Sequence, residues 1–338
     1  MLFRSCHAVY EQLIAADNAL EAAARDTDDW LACERADFDN DGSEEVLVES
    51  ARLSAYFHPR QGGGLLALEY RPKRFALGNV LGRRLEGYHQ KLAQAATPGQ
   101  DAGHQSIHEV VKVKEAGLEK RLVYDRLPRF SFLDHFLPDR LTLAEFREER
   151  FNEMGDFAGK PYAVQHTQFR AASGRVGLSR EAAVWTGSKE TRLRLEKVFS
   201  FSRARSGLGV AYSLTNLGEV ELSVNFGIEF NLTLLAGEAP DRFYRINGHA
   251  PHPAHLASQG ETPAVKKLEL VDQAFGFQVS LGLAPAARLW RFPVETVSQS
   301  EAGFERTYQG SCLVLTWPLN LLPGRPLVIN IQLDFQEL

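Results

Sequence analysis

The longest regular pattern in the chain is an alternation of apolar with polar or small residues that runs without a break from Val220 to Leu234. Every second residue in this segment is Val, Leu, Phe or Ile. Successive side chains of a β-strand point to opposite faces of its sheet, so the pattern predicts a strand with one buried face. The segment is longer than a typical strand, and Gly227 is predicted to mark a bend in it.

The same two-residue period recurs in shorter segments along most of the chain, and clusters of Gly, Pro, Asn and Asp separate them. These segments do not alternate with helical patterns, which favours antiparallel pairing over a parallel sheet. We therefore predict a mainly β fold with a large antiparallel β-sandwich. The predicted strands lie at 52–57, 65–70, 107–114, 192–202, 209–216, 275–283, 287–297 and 326–335.

Helical periodicity is confined to a few places. Residues 7–25 carry apolar residues at steps of three and four, which predicts one amphipathic helix that must pack on the sandwich or on an absent partner. Two further segments interrupt the strand pattern, 76–94 and 128–160. The second predicts a short helix after Thr142, with Glu145 at the spacing of a capping box. Long excursions of this kind often lie where a sandwich meets a ligand or another domain.

Composition and charge exclude several classes of function. The chain has 338 residues, with 38 Lys and Arg against 43 Asp and Glu, and it has no basic block that could follow a nucleic-acid backbone. No apolar run is long enough to span a membrane, and the first 20 residues lack the apolar core of a secretory signal. The three cysteines show no metal-binding spacing. We expect a cytoplasmic protein without a nucleic-acid or membrane partner.

One acidic segment, "DFDNDGSEEVLVES" at 37–50, has the spacing of a calcium-binding loop. Gly42 occupies the turn position, but Val48 stands where an EF-hand needs a bidentate Glu, so the segment is not an EF-hand. It fits a loop-then-strand site in which Ca²⁺ has a structural role. The alternative is a solvated acidic turn whose Asp side chains bind their own backbone. The predicted calcium ligands are Asp37, Asp39, Asp41 and Glu45.

Several ordered segments together resemble a known family. They are "DFDNDGSEEVLVES", "AYFHPRQGGGLLALEYRPKRFALGNVLGRRLEGYH", "YDRLPRFSFLDHFL" with "GDFAGKPY", and "GIEFNLTLLAG". With these segments the chain is similar, from about residue 7 to its end, to the C-terminal half of the 4-alpha-glucanotransferases and alpha-amylases of glycoside hydrolase family 57.

The resemblance implies an enzyme of three parts: an N-terminal (β/α)7 barrel with both catalytic carboxylates, a helical segment, and a C-terminal sandwich of the galactose mutarotase-like type. Residues 1–35 would be the remnant of the helical part and 36–338 the sandwich. No position here corresponds to either catalytic carboxylate, so no catalytic residue is predicted. The expected partners are an alpha-glucan or maltooligosaccharide and the missing barrel, and the unmatched start "MLFRS" suggests a truncated reading frame.

Four residues are candidates for binding sugar. Glu229 and Asn231 lie on the polar face of the long predicted strand, where they would bind sugar hydroxyls on a concave face or merely meet water on a convex one. Tyr88 and His89 lie on the first excursion, where they would contact a glucan or pack against a domain. By contrast, the neighbouring Asp134 and His135 should point to opposite faces of a strand and form no dyad.

Two other functions compete with a non-catalytic glucanotransferase region. A stand-alone carbohydrate-binding module would bind maltooligosaccharides without any barrel. A mutarotase-like sugar epimerase would need an inward-facing Glu base with a His partner, and Glu229 is the first residue to test.

Overall fold

The computed structural model describes residues 2–95, 114–115, 117–300 and 303–338. The helices in these ranges are α1 (Leu2–Ala24), α2 (His89–Ala95) and α3 (Leu143–Arg147). The strands are β1 (Leu31–Ala36), β2 (Glu45–Ser50), β3 (Leu53–His58), β4 (Gly64–Tyr70), β5 (Phe75–Ala76), β6 (Leu133–Leu137), β7 (Ala163–Phe169), β8 (Ser173–Thr186), β9 (Lys189–Ser202), β10 (Gly207–Asn216), β11 (Leu222–Leu232), β12 (Arg242–Ile246), β13 (Gly260–Asp272), β14 (Phe277–Ser300), β15 (Gly303–Leu321) and β16 (Pro326–Glu337).

These strands form two antiparallel sheets. The small sheet has five strands in the order β1-β2-β3-β4-β5. The large sheet has eleven strands, nine of them in the order β6-β11-β15-β14-β16-β10-β9-β8-β7, while β13 pairs with β14 and β12 with β13. The predicted mainly β, antiparallel fold class is confirmed.

The core lies between the two sheets. Phe57 of β3 contacts Phe199 of β9 with ring centroids 4.4 Å apart. Tyr70 of β4 stacks on Phe335 of β16 at 4.8 Å. Because each sheet buries one face of alternating apolar side chains against the other, neither sheet would be stable alone. The arrangement is the predicted sandwich.

The alternation that predicts the long strand also gives its orientation. Along β11 the even-numbered Phe226, Ile228 and Phe230 are fully buried in the core between the sheets, while Glu229 and Asn231 lie on the opposite face. The pairing of β11 with β15 runs from Leu222–Leu321 to Leu232–Ser311 without a register shift, so the ladder has no bulge at the predicted bend. A Cβ on Gly227 would lie 3.1 Å from Cδ1 of Leu137, which shows why this position is small.

One boundary prediction was wrong, because the two strands predicted at 275–283 and 287–297 are a single strand, β14. Its first part pairs with β16 as far as Ala284, and its second part pairs with β15 from Arg288 onward. Pro285 lies where β14 changes partners, so the missing N–H costs no ladder hydrogen bond on that edge. The strand predicted at 107–114 lies almost entirely outside the described residues.

The N-terminal helix forms as predicted, and two of its faces have different surroundings. Its apolar stripe is largely exposed, with 57% of Val9, 59% of Leu13 and 69% of Leu20 accessible. The helix instead packs on the small sheet through a neighbouring face, where Ile14 is buried and Asp17 pairs with Arg71 at 2.6 Å. The stripe is therefore free to contact another surface.

The remaining helices also follow local signals. Thr142 caps α3 in a complete capping box, since its side chain accepts a hydrogen bond from the Glu145 N–H and the Glu145 carboxylate accepts one from the Thr142 N–H. The segment 76–94 contains the start of α2. The division predicted after residue 35 falls inside β1, which pairs with β2, and remains a prediction. None of the described helices has the length and apolar character needed to cross a membrane.

Candidate functional site

The acidic loop before β2 folds largely on its own backbone. The Asp37 carboxylate accepts a hydrogen bond from the Gly42 N–H at 3.1 Å, and the Asp41 carboxylate accepts one from the Ser43 N–H at 2.8 Å. Gly42 has a φ of 85°, a left-handed conformation that favours glycine, as the loop pattern predicts. The hydrogen bond from the Ser43 N–H lowers the pKa of Asp41. These turns are those of a solvated acidic loop, and they also direct carboxylate oxygens towards one point.

The loop carboxylates face a histidine, His58, which the sequence patterns did not single out. His58 ends β3, one step beyond the paired residues Val46 and Phe57, and so lies across from Glu45. Its Nε2 is 3.2 Å from Oδ2 of Asp41 and 3.8 Å from Oδ2 of Asp39. Its Nδ1 is 3.4 Å from Oε1 of Glu45. The register of the β2–β3 pair was the signal that could have found it.

These four residues form a possible metal site. One ligand atom from each of Asp39, Asp41, Glu45 and His58 lies within 4.8 Å of the other three. Asp37, the other predicted ligand, is not in this group, because its carboxylate faces the Gly42 N–H. The three carboxylates suit Ca²⁺, whereas an imidazole nitrogen does not, so the donor set fits calcium only in part. Calcium at this loop remains a prediction.

A second polar site lies on the outer face of the large sheet around Glu229. Oε1 of Glu229 accepts hydrogen bonds from Arg129 at 2.8 Å and from the Asn231 amide at 2.7 Å. Oε2 of Glu229 lies 3.1 Å from Nε2 of His135, whose Nδ1 is 2.7 Å from the Glu153 carboxylate. Arg129 in turn pairs with Asp125. We call Asp125, Arg129, His135, Glu153 and Glu229, with Arg83, Arg126 and Glu149 beside them, the Glu229 network.

The protonation states in the Glu229 network follow from its pairing. Burial alone would raise the pKa of Glu229, but Arg129 and His135 lower it to about 2. Burial alone would lower the pKa of His135, but Glu153 and Glu229 raise it to about 10. At neutral pH this is a charged pair rather than a neutral base beside a neutral imidazole, and a carboxylate with so low a pKa is a weak base.

The two predicted sugar ligands on β11 are enclosed by protein. Glu229 lines a small cavity of about 100 Å³ together with Arg129 and His135. Asn231 is fully buried and donates to the Phe130 carbonyl as well as to Glu229. Their role in binding sugar stays a prediction, and in this arrangement both act first as partners of protein groups.

The structure separates the neighbouring Asp134 and His135 as expected. His135 points into the Glu229 network, whereas Asp134 points into the core, where its carboxylate pairs with the buried Lys197 at 2.7 Å and accepts from the Tyr162 hydroxyl at 2.6 Å. Lys197 also donates to the Phe132 carbonyl at 2.8 Å. The pair fixes β6 against β9 inside the sandwich.

The predicted Tyr88 and His89 lie at an open cleft of about 910 Å³. It lies between α1, the outer face of the small sheet, the 76–89 segment and the far ends of β14 and β15, and it includes the predicted Tyr88 and His89. His89 is held in place, since its Nε2 lies 2.9 Å from the Val297 carbonyl. We call this feature the open cleft. Its aromatic lining comprises Tyr10, Phe38, Tyr56, Tyr88 and Phe130, and its polar lining includes Asn79, Arg84, Ser298, Gln299 and Gln309.

Comparison with known proteins agrees with this architecture. The family model for the C-terminal region of alpha-amylase/4-alpha-glucanotransferase matches residues 37–330. Alpha-amylase 1 of Dictyoglomus thermophilum is 34% identical over 94% of this chain and 43% of its own length. The 4-alpha-glucanotransferase of Thermococcus kodakarensis is 30% identical over 89% of this chain and 40% of its own length. The chain therefore spans about two fifths of the curated relatives it matches.

Solved structures show the same relation. The crystal structure of the 4-alpha-glucanotransferase from Thermococcus litoralis superposes on 98% of this chain and 42% of its own, with a TM-score of 0.73 and 25% identity. A galactose mutarotase-like protein from Clostridium acetobutylicum shares the fold, with a TM-score of 0.55 and 11% identity. The predicted resemblance is confirmed. The chain belongs to the family formed by the C-terminal regions of alpha-amylases and 4-alpha-glucanotransferases.

Proposed function

We propose that this chain is the non-catalytic C-terminal region of an alpha-glucan-processing enzyme of the 4-alpha-glucanotransferase or alpha-amylase type, and that it binds alpha-glucan in the open cleft. The catalytic carboxylates of the parent enzyme, which carries out retaining transfer or hydrolysis, would lie in an N-terminal barrel. The observation that carries the proposal is that the family model for the C-terminal region matches residues 37–330, while the chain spans only about two fifths of the relatives named above.

The state of the buried carboxylates supports a non-catalytic role. Retaining glycosyl transfer needs a nucleophile and an acid/base carboxyl on either side of the bond that is cleaved. In the part of the chain that the structure describes, Glu229 is held by Arg129, Asp125 by Arg83 and Arg129, and Asp134 by Lys197. Each of these carboxylates has a cation as its partner, so none has the freedom that a nucleophile needs.

The lining of the open cleft supports the proposal of sugar binding. A glucose unit offers an apolar ring face and a rim of hydroxyls, so a suitable site combines aromatic rings with side chains that donate and accept hydrogen bonds. Tyr88 lies at the cleft beside Phe304, with ring centroids 6.0 Å apart, and so is supported from behind. Gln299 and Gln309 bring amides to the same cleft.

The exposed stripe of α1 supports attachment to a catalytic part. Val9, Leu13 and Leu20 lie on one side of the helix and are each more than half accessible. Covering such a stripe releases structured water and stabilises the contact. The chain spans only about two fifths of the length of these relatives, so the occupant would be their remaining part. Because Cys6, Cys33 and Cys312 are free thiols, as is usual in a reducing compartment, we propose a cytoplasmic location for the enzyme.

The first test has two arms. In a maltooligosaccharide disproportionation assay, we expect no activity from this chain alone, and activity once the upstream coding sequence is translated in frame with it. In calorimetry, we expect the chain alone to bind maltooligosaccharide, and Tyr88→Ala to weaken binding by about tenfold, which corresponds to roughly 1.4 kcal/mol.

The matched control is Trp185→Ala, which removes a partly exposed aromatic ring that does not line the cleft and should leave maltooligosaccharide affinity unchanged. Disproportionation activity of the chain alone would contradict the non-catalytic role. Equal losses of maltooligosaccharide affinity in Tyr88→Ala and Trp185→Ala would contradict binding in the cleft. Binding without any activity in the longer protein would instead support a stand-alone carbohydrate-binding module.

A mutarotase-like epimerase is the second candidate, because Glu229 does have a His partner, His135, at 3.1 Å. The low pKa of Glu229, about 2, makes it a poor base for that reaction. An anomerisation assay decides the matter: sugar anomerisation that is present in the wild type and lost in Glu229→Gln would favour the epimerase over the non-catalytic role.

A further inference from the structure

The cluster of Asp39, Asp41, Glu45 and His58 carries more negative charge than its surroundings balance. Among the residues that the structure describes, the ion pairs of its three carboxylates all run to His58, and none runs to Lys or Arg. One imidazole, even when protonated, leaves a surplus of negative charge within a few ångströms. Carboxylates this close repel each other unless a cation lies between them.

Two of the four side chains are completely buried, so water cannot compensate the negative charge around them. The side chains of Glu45 and His58 have no solvent-accessible surface. Oε1 of Glu45 and Nδ1 of His58 have no hydrogen-bond partner, although they face each other at 3.4 Å. A buried carboxylate oxygen without a partner is costly, so this arrangement needs something that draws the imidazole and the carboxylate together.

The surroundings of the other ring nitrogen of His58, Nε2, indicate a cation. Nε2 of His58 faces Oδ2 of Asp41 and Oδ2 of Asp39, and it lies 2.9 Å from the Gln61 amide nitrogen. With the amide as assigned, Gln61 donates to Nε2, so Nε2 carries a lone pair and Nδ1 carries the proton. A cation at this position takes that lone pair in place of the Gln61 amide, which then turns away from Nε2. Nε2 of His58 and the oxygens of Asp39 and Asp41 would then present three donor atoms to one point.

We propose that Asp39, Asp41 and His58 bind a divalent transition metal ion of the zinc class, and that Glu45 holds the imidazole from its other side. An imidazole nitrogen with carboxylate oxygens is a donor set typical of Zn²⁺, whereas Ca²⁺ takes oxygen ligands. A metal at Nε2 keeps the proton on Nδ1, which then donates to Oε1 of Glu45, as in other carboxylate–histidine–metal arrangements. Both unpartnered atoms are thereby satisfied.

The ion would tie the acidic loop to the end of β3. The loop is exposed and belongs to the connection between β1 and β2, whereas His58 is the last residue of β3 and pairs with Gly64 of β4. Linking the two closes one end of the small sheet, so the expected contribution is to stability and not to chemistry on a substrate. This inference does not depend on glucan binding.

The test compares metals on the chelator-treated full chain. We expect Zn²⁺ to bind with one high-affinity site by calorimetry. At a free concentration about 100 times its dissociation constant, Zn²⁺ should raise the melting temperature by roughly 3–6 °C. Ca²⁺ at the same concentration should raise it much less. A larger shift with Ca²⁺ than with Zn²⁺, or no shift with either, would overturn the proposal.

Variants separate this site from other places where Zn²⁺ can bind, such as the free cysteines. His58→Gln should abolish the high-affinity site, and Glu45→Gln should weaken it by about 10-fold to 100-fold, as expected for a group that orients a ligand. The matched control is Asp37→Asn in the same loop, which keeps an oxygen for the Gly42 N–H and should leave Zn²⁺ affinity unchanged. Circular dichroism checks that each variant is folded.

The Asp37→Asn result also distinguishes the two possible ligand sets. Loss of Zn²⁺ binding in this variant would show that the ion sits in the loop predicted from the sequence and would contradict the His58 site. If His58→Gln unfolds the chain, the ¹⁵N chemical shifts of the His58 ring in the wild type decide. A large shift of Nε2 on adding Zn²⁺ supports the proposal, and an unchanged Nε2 overturns it.

Discussion

The His58 cluster and the Glu229 network each place a buried histidine among carboxylates, yet they differ in their cations. In the Glu229 network the carboxylates of Asp125, Glu149, Glu153 and Glu229 are matched by Arg83, Arg126, Arg129 and His135. In the His58 cluster three carboxylates have one imidazole between them. One site is balanced within the chain, and the other is not.

The comparison shows how to separate a structural ion-pair network from a binding site. In the balanced network every buried charge is held by an opposite one, so its shifted pKa values report internal pairing and need no ligand to explain them. In the unbalanced cluster the missing charge must come from outside the chain. A shifted pKa alone would have pointed to Glu229 first, whereas the charge count points to His58.

Among variants that test charge compensation in the Glu229 network, Arg129→Met is expected to have the largest effect. Removing this guanidinium leaves Glu229 and Asp125 buried with less compensation, which we expect to cost about 3–5 kcal/mol in the free energy of unfolding. The cost should appear as a lower midpoint in urea denaturation. The matched change is Arg126→Met in the same network, whose side chain is 42% accessible and should cost less than about 1 kcal/mol.

Equal losses in the free energy of unfolding for Arg129→Met and Arg126→Met would contradict the contrast between the two sites. They would mean that buried Arg129 stabilises the network no more than an exposed ion-pair partner does. A small cost for Arg129→Met would have the same meaning, and the Glu229 network would then no longer count as tightly balanced. Unfolding slopes that stay the same in both variants would show that the midpoints can be compared directly.

A smaller effect is expected from pH. The folded pKa of His135, about 10, lies above its unfolded value of 6.5, so its contribution is complete below about pH 6.5 and is lost as pH rises towards 10. The folded pKa of Glu229, about 2, lies below its unfolded value of 4.5, so its contribution is lost as pH falls from 4.5 towards 2. Stability from this network should therefore be greatest between about pH 4.5 and 6.5.

Urea denaturation as a function of pH measures this. Between pH 7 and 9 the free energy of unfolding of the wild type should fall with a slope of up to about 1.4 kcal/mol per pH unit from His135. His135→Gln should flatten that slope, whereas His166→Gln, which changes a histidine of β7 outside both sites, should not. A slope that is the same in His135→Gln and wild type would show that His135 is not held in its charged form.

Sequence patterns predicted the fold well where one face of a strand is buried and the other is polar. This holds for β9, β10, β11 and β16, whose alternation gives both the strand and its orientation. Prediction was poorer where the pairing changes along a strand, as in β14, since no local pattern records which neighbour a residue has. It also missed β15, which is buried on both faces over much of its length.

The candidate sites show the same limit. The acidic loop was found because its residues are adjacent in sequence, but His58 contributes across a strand pair and was missed. Glu229 was found on its strand, while Arg129 and His135, which determine its pKa, come from 100 and 94 positions away. Local spacing can nominate a residue, and only the assembled sheets show whether its charge is already compensated.

The smallest expected effect tests the unbalanced side of the comparison. In excess chelator, Asp41→Asn removes one of three clustered negative charges while its side-chain oxygen still accepts from the Ser43 N–H. We expect the free energy of unfolding to change little, because relief of like-charge repulsion offsets the weaker contacts of the neutral side chain with the Ser43 N–H and with His58. Glu44→Gln, a neighbouring exposed carboxylate paired with Arg35, is the control and should change stability by less than about 0.5 kcal/mol. A loss of stability in Asp41→Asn that clearly exceeds the change in Glu44→Gln would mean that the charge of Asp41 is already compensated within the chain, and the contrast between the two sites would disappear.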